Sequence, residues 1–312
     1  MVKVAIFICP ITHVICKIVV YRIIWHRLQS ITFEMENFYK LTKPHEETIL
    51  QKYINKCVIF YGGSIIGIYL ISIIIISGPV TLNQPFPMMA EYPFDVFHQP
   101  MRTIAYIHQS ICILQGSAHI CINTYTSLLL WFSSARLELL TDSLHAIRNI
   151  YDLTKCVQKH QKLLKYAEQV IHAIRPFAFM VTCFSTLGLI IVGLIFVTDQ
   201  PLSMKIQCAG IAFNGLSEVF MYTWPAEHLI HVNNKIEKAI YSVEWYEHSV
   251  ELQRSIQIIL IRAQKPLLIT IPCVMPPLSL NYYTKYLSTI FSYFTALRIF
   301  MQTSQEVDEP EI

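Results

Sequence analysis

Along the chain, apolar runs about a membrane thick alternate with segments in which apolar and charged residues mix at helical spacing. Crossing a hydrocarbon core takes about 20 apolar residues in a helix. Stretches without Asp, Glu, Lys or Arg meet that length at 57–79, 103–135 and 176–198. Apolar spans are predicted at 3–21, 56–78, 104–133, 176–198, 206–224 and 277–301. The fold class expected is all-α, a polytopic transmembrane helical bundle. The stretches TKCVQKHQKLLKYAEQVIHAIRPF and VNNKIEKAIYSVEWYEHSVELQRSIQIILIRAQKP are free of Gly and keep a helical period, with Ile236, Ile240 and Val243 on one stripe. They read as helices projecting beyond the membrane and packing on each other. The segment 80–103 carries four prolines among aromatic residues and reads as a folded loop, either a lid on the bundle or part of a ligand's route.

The last run, YLSTIFSYFTALR (286–298), carries two stripes. Ser288, Ser292 and Thr295 recur at i, i+4 and i+7, whereas Leu287, Ile290, Phe294 and Leu297 fall on the other side. By spacing alone the hydroxyls either line water or do what Ser and Thr commonly do in membrane helices, bonding back to carbonyls and joining helices.

Composition and charge turn this pattern into a topology. The chain has 312 residues, of which 54% are hydrophobic and 14% charged, against about 25% charged in soluble domains. Of the 24 basic residues, 18 lie in three segments, 22–56, 136–175 and 225–265. The positive-inside rule puts these in the cytoplasm and the acidic tail 303–312 outside. Six spans then place Met1 outside with no hydrophilic ectodomain, so an N-terminally truncated seven-span protein is expected. A net charge of +3, scattered along the chain, offers nothing to nucleic acid. The nine cysteines form no CxxC pair and no HExxH is present, so no metal, cofactor or enzyme is indicated. Paired carboxylates in symmetric halves, expected of a transporter, are absent, and the orientation is opposite to that of G-protein-coupled receptors. Ionisable residues inside spans are functional candidates because burying them is costly. They are His13, Lys17, His108, His119 and Glu218. Lys17 is expected to snorkel to the cytoplasmic interface and His108 to sit near the outer one.

Several stretches resemble the insect odorant receptors: AEYPFDV (90–96), KHQKLLKYAEQV (159–170), MYTWPAEHL (221–229), AIYSVEWY (239–246), RAQKPLLI (262–269) and PLSLNYYTKYLSTIFSYFTALR (277–298), the last in the style of ants, bees or wasps. The resemblance implies a seven-span subunit of a ligand-gated non-selective cation channel in the membrane of olfactory neurons. It would detect volatile or cuticular small molecules and assemble with a shared coreceptor in a heterotetramer embedded in membrane lipid. It implies that residues 225–276 are cytoplasmic anchor helices, and that 277–302 is the pore helix, with Ser288, Ser292 and Thr295 lining the pore. The odorant pocket would lie in the bundle 1–224, where Ser64, Gly67 and Ile71 share a face and Tyr69, Tyr106, Gln109, Ile113 and Phe213 are further candidates. A gustatory-receptor-like channel, or a non-conducting scaffold or fragment, is the alternative. Set against that family, the chain is expected to lack the first span at its front.

Overall fold

The structure, a computed structural model, describes residues 2–308 apart from 82–84, 89–91, 93, 146–149, 199–201, 243–248 and 272–274. The described residues form eight helices: α1 (Val2–Ile23), α2 (Trp25–Lys40), α3 (Pro44–Thr81), α4 (Met101–His145), α5 (Ile150–Val197), α6 (Leu202–Ser242), α7 (Val250–Ala263) and α8 (Leu280–Asp308). A single isolated bridge, Ile271 to Met275, is the only β pairing among them. The last four residues of the acidic tail, and parts of AEYPFDV and AIYSVEWY, lie outside the described residues.

Helices α3 to α6 contain 38, 45, 48 and 41 residues, about twice what a membrane crossing takes. Each apolar run therefore continues without a break into its polar extension, and α6 passes 225 unbroken although Pro225 lies inside it. By length and composition, Pro44–Val80 and Tyr151–Val197 are apolar enough to cross a membrane. The α1–α2 pair, bent by 69°, passes the same test when taken together.

Local chemistry sets the helix ends. Residues before a proline are pushed out of the α region, so α2 stops before Pro44, which opens α3 at the position where its missing N–H costs nothing. Glu46 and Glu47 fill the first turn of α3, and the Lys43 N–H donates to Glu46 Oε2 at 3.0 Å. Helix α7 begins with Glu251 in its first turn and ends with Arg262 in its last, both favourable to the helix dipole. At its end Asn233 Nδ2 donates to the carbonyl of Ala263 at 3.2 Å, and among the described residues before α8 the Leu278 N–H donates to Ile269 O, outside the Ile271–Met275 bridge.

The chain divides into two compact units, 1–53 with 126–312, and 54–125. In the larger unit α5 is the hub, packing on α1, α2, α6, α7 and α8. Its residues Val170, Ile174 and Phe177 are fully buried. Towards the predicted cytoplasmic end, Trp131 of α4 packs edge-on against Trp224 at 5.0 Å and against Tyr53, while His228 Nε2 lies 3.0 Å from the Tyr53 hydroxyl. That hydroxyl also bonds Glu138, and Lys52 reaches the same carboxylate at 3.3 Å. Burial pulls the Glu138 carboxyl upward, but these hydrogen bonds and the charges of Lys52 and Lys235 bring it below its usual value. Arg136 lies over the rings of Tyr166 (4.6 Å), Phe38 (4.8 Å) and Phe132 (5.7 Å) and bonds Glu34 at 2.9 Å. A planar cation with weak hydration suits such a ring cage better than lysine would.

In the smaller unit α3 and α4 meet through Ser72 and Ser117, whose hydroxyls bond each other, and through the Tyr106 hydroxyl, which donates to Ile76 O at 3.0 Å. The loop above them is folded, with Phe86, Val96 and Ala105 buried together beside Tyr92. Asp95 accepts the Phe97 N–H at 2.9 Å and sits 2.7 Å from His98 Nδ1; these bonds hold its carboxyl below the usual range.

Candidate functional site

In the smaller unit, Ser64 is half-buried and donates to Phe60 O, one turn back. One turn on, a Cβ placed on Gly67 would meet nothing within 4 Å, so the glycine leaves open space beside the helix. Ile71 is 56% exposed. Tyr69 is half-buried and its hydroxyl interacts with Cys121 of α4. Tyr106 is held to α3 as described above, and Ile113 is half-buried with its carbonyl accepting from Ser117 at 2.9 Å. Gln109 is buried and fully employed: its Oε1 accepts the Met88 N–H at 2.9 Å and its Nε2 donates to the Tyr92 hydroxyl at 3.0 Å. It pins the proline-rich loop to α4. Phe213 belongs to the larger unit, on α6, and is 75% exposed.

Helix α8 shows its two stripes plainly. Ser288, Ser292 and Thr295 are exposed, whereas Leu287, Ile290, Phe294 and Leu297 are half-buried. The apolar stripe rests on α5, where a Cβ on Gly193 would stand 3.7 Å from both Phe294 and Leu297. Nearer the start of α8, the Thr186 hydroxyl donates to that of Tyr286 at 3.3 Å, and the Tyr283 hydroxyl reaches Leu216 O of α6 at 3.4 Å. Ser288 and Thr295 donate back to Thr284 O and Phe291 O at 3.0 and 2.9 Å. Back-bonding and outward exposure coexist, because a hydroxyl that donates inward still presents two acceptor lone pairs.

The intramembrane charges differ from expectation. Lys17 does not snorkel: it is completely buried, and its Nζ lies 2.9 Å from Glu218 Oε2, while Asn214 Nδ2 donates to the other carboxylate oxygen at 2.8 Å. Helix α1 packs on α5 rather than running free to the interface, so the shorter route for the ammonium is sideways to α6. Opposite charges within two apolar runs at comparable depth were the available signal. His13, one turn before Lys17, stacks on Phe184 with ring centroids 4.8 Å apart. His119 is buried and bonds Gly116 O, whereas His108 is exposed beside Cys112. Among the described residues no group of His, Cys, Asp and Glu is placed to hold a metal.

The model of the 7tm Odorant receptor family matches residues 1–291. The chain belongs to this family. Among curated odorant receptors it is 26% identical over 149 residues to Odorant receptor Or2 of Anopheles gambiae, covering 47% of this chain and 39% of that one. It is 27% identical over 146 residues to Odorant receptor 10 of Aedes albopictus, covering 46% and 38%. These alignments span about two-fifths of each relative's length. The fold matches the insect olfactory receptor OR5 from Machilis hrabei, with a TM-score of 0.77 at 17% identity over 95% of this chain and 80% of that one. The structure of that receptor in complex with eugenol gives 0.76 at 16% identity over 93% and 78%. This odorant receptor family member is a multi-pass membrane protein with the helical architecture of that receptor.

Proposed function

We propose that the chain is an odorant-receptor subunit of a ligand-gated, non-selective cation channel. Helix α8 contributes to the pore, and Ser288, Ser292 and Thr295 face the ions. The observation that carries this reading is the exposure of the hydroxyl stripe while the opposite stripe rests on α5. A pore helix needs one face for water and one for protein, and apolar groups beside the path can close it by dewetting. Residues 225–276 serve as the cytoplasmic anchor, the acidic C-terminus lies outside the cell membrane, and a coreceptor completes a heterotetramer.

The odorant is a small, mostly apolar molecule held in the outer part of the bundle. Ser64, Gly67, Ile71, Tyr69, Tyr106, Gln109, Ile113 and Phe213 are the candidate contacts, and the open space beside Gly67 supports the α3 face. The eugenol complex of the Machilis receptor supports a small organic ligand. Gln109 acts on the ligand's route by fixing the loop.

Co-expression with a coreceptor in oocytes and exposure to an odorant panel is the test. Odorant-evoked cation current is expected. Surface expression without current for every odorant overturns the channel reading. Cysteine at Ser288, Ser292 or Thr295 is expected to react with a water-soluble thiol reagent during stimulation, and cysteine at Ile290 or Phe294 much less.

A further inference from the structure

Where α2, α5 and the segment after α7 come together, they line a half-open cavity of ≈ 840 Å³, within the range of about 300–1,000 Å³ typical of small-molecule sites. Arg27, Lys165 and Arg175 line it, together with the imidazoles of His26 and His172. Glu168 is the one acidic residue of the lining, and Arg262 already binds it at 2.9 Å. The cavity is thus strongly cationic. Arg175 is half-buried, and its Nε makes no hydrogen bond among the described residues, which leaves its outer N–H groups to carry the interaction with an anion.

The position of the cavity selects the kind of anion. Arg175 directly precedes the apolar run that begins at Pro176, and Arg27 lies one turn beyond the 69° bend between α1 and α2. Both therefore stand at the depth where apolar chain meets water. Ile31, Ile171 and Leu267 back the wall from inside, and the exposed apolar margin is that of Ile23 and Val19, one and two turns before Arg27 along the chain. A free anion would have no use for that apolar margin, whereas a lipid has a use for both. We propose that this cavity binds the phosphorylated headgroup of an anionic membrane lipid, with Arg27 and Arg175 gripping clustered phosphates through paired N–H donors and Lys165 adding a point charge. The inference rests on the orientation proposed above, which puts this end in the cytoplasm.

The test uses the full chain in phosphatidylcholine nanodiscs titrated with a short-chain phosphatidylinositol bisphosphate, with phosphatidylserine and soluble inositol trisphosphate as separate arms. The bisphosphate lipid is expected to bind best. Arg27→Gln with Arg175→Gln should weaken it about thirtyfold, at about 1 kcal/mol per basic residue. Lys238→Gln, which removes the same charge from α6 outside the cavity, should leave it unchanged. Lys165→Gln, at an exposed position, gives a second reading of several-fold loss should the arginine pair fold poorly. Loss in Lys238→Gln equal to that in the cavity variants, or wild-type affinity in the latter, overturns the site. Inositol trisphosphate binding as tightly as the lipid overturns the lipid assignment. Failure of the orientation is read separately: a tag after Ile312 that labels only in permeabilised cells overturns it, whereas nanodiscs expose both faces and report binding regardless.

Discussion

Helices α3 and α5 carry nearly equal apolar windows, yet only 11% of the window in Pro44–Val80 is buried against 33% in Tyr151–Val197. Ile59 and Ile74 of α3 are 81% and 67% exposed, whereas Phe177, Val181 and Ile195 of α5 are 0%, 1% and 1% exposed. The difference lies in the solvent each helix meets. For α3, whose apolar side chains face largely outward, a bilayer would be that solvent, and there the backbone must bond itself and almost any apolar side chain will do. For α5 it is other helices, where shape and pairing count. Hydropathy reports the common property of being out of water and is silent on which apolar medium takes its place.

Four measurements would break or sharpen this contrast, beginning with the largest effect. Glu218→Ala removes the carboxylate that faces the buried Lys17 ammonium and is expected to destabilise the detergent-solubilised protein by about 3–5 kcal/mol, seen as a fall in its thermal transition. Replacing both partners, Lys17→Met with Glu218→Leu, should recover most of the loss. If the single variant melts like the native protein, the pair is not a constraint on α1 and α6. Next, Phe177→Ala in α5 should cost about 3–5 kcal/mol through the cavity it leaves, whereas Ile74→Ala in α3 should stay within about 0.5 kcal/mol. Equal losses would mean that α3 is as packed as α5.

The third measurement concerns pH. Burial, with Arg262 nearby, lowers His160 of α5 to about 4 from its usual 6.5. Between these values the unfolded chain holds the proton and the folded one does not, so stability should fall on acidification from pH 6.5 towards 4, by at most about 3 kcal/mol. His160→Gln should flatten that slope in a melting series, and a slope unchanged by the substitution would place its origin elsewhere. The smallest effect belongs to the α3–α4 contact. Ser72→Ala should cost about 0.6 kcal/mol, the typical worth of a hydrogen bond between membrane helices. A loss of several kcal/mol would make this contact a principal clamp of the smaller unit.

Much of the architecture was legible from residue order. The helical period and the Gly-free polar stretches foretold that α5 and α6 continue as helix beyond their apolar runs, which α4 also does, and the prolines foretold a non-helical loop before α4. The two stripes of α8 could be drawn from spacing, because residues three and four apart share a helical face whatever surrounds it. The surroundings of the candidate contacts were legible to different degrees. The open space beside Gly67 follows from a missing side chain, which sequence declares. The use of Gln109 to hold Met88 and Tyr92 does not follow, since nothing in the order of residues says which way a loop folds back.

The sequence by itself determined that this is an all-helical membrane protein, where its apolar runs lie and which face of its last helix carries hydroxyls, since each depends on neighbours along the chain. Only the tertiary structure decided that Lys17 meets Glu218, that α5 rather than α3 is the hub and that five basic or imidazole side chains converge on one cavity. These pairings join residues as much as 201 positions apart. Lipid and protein interior are alike in excluding water, so the choice between them is made by how helices pack and leaves little mark on the hydrophobic pattern.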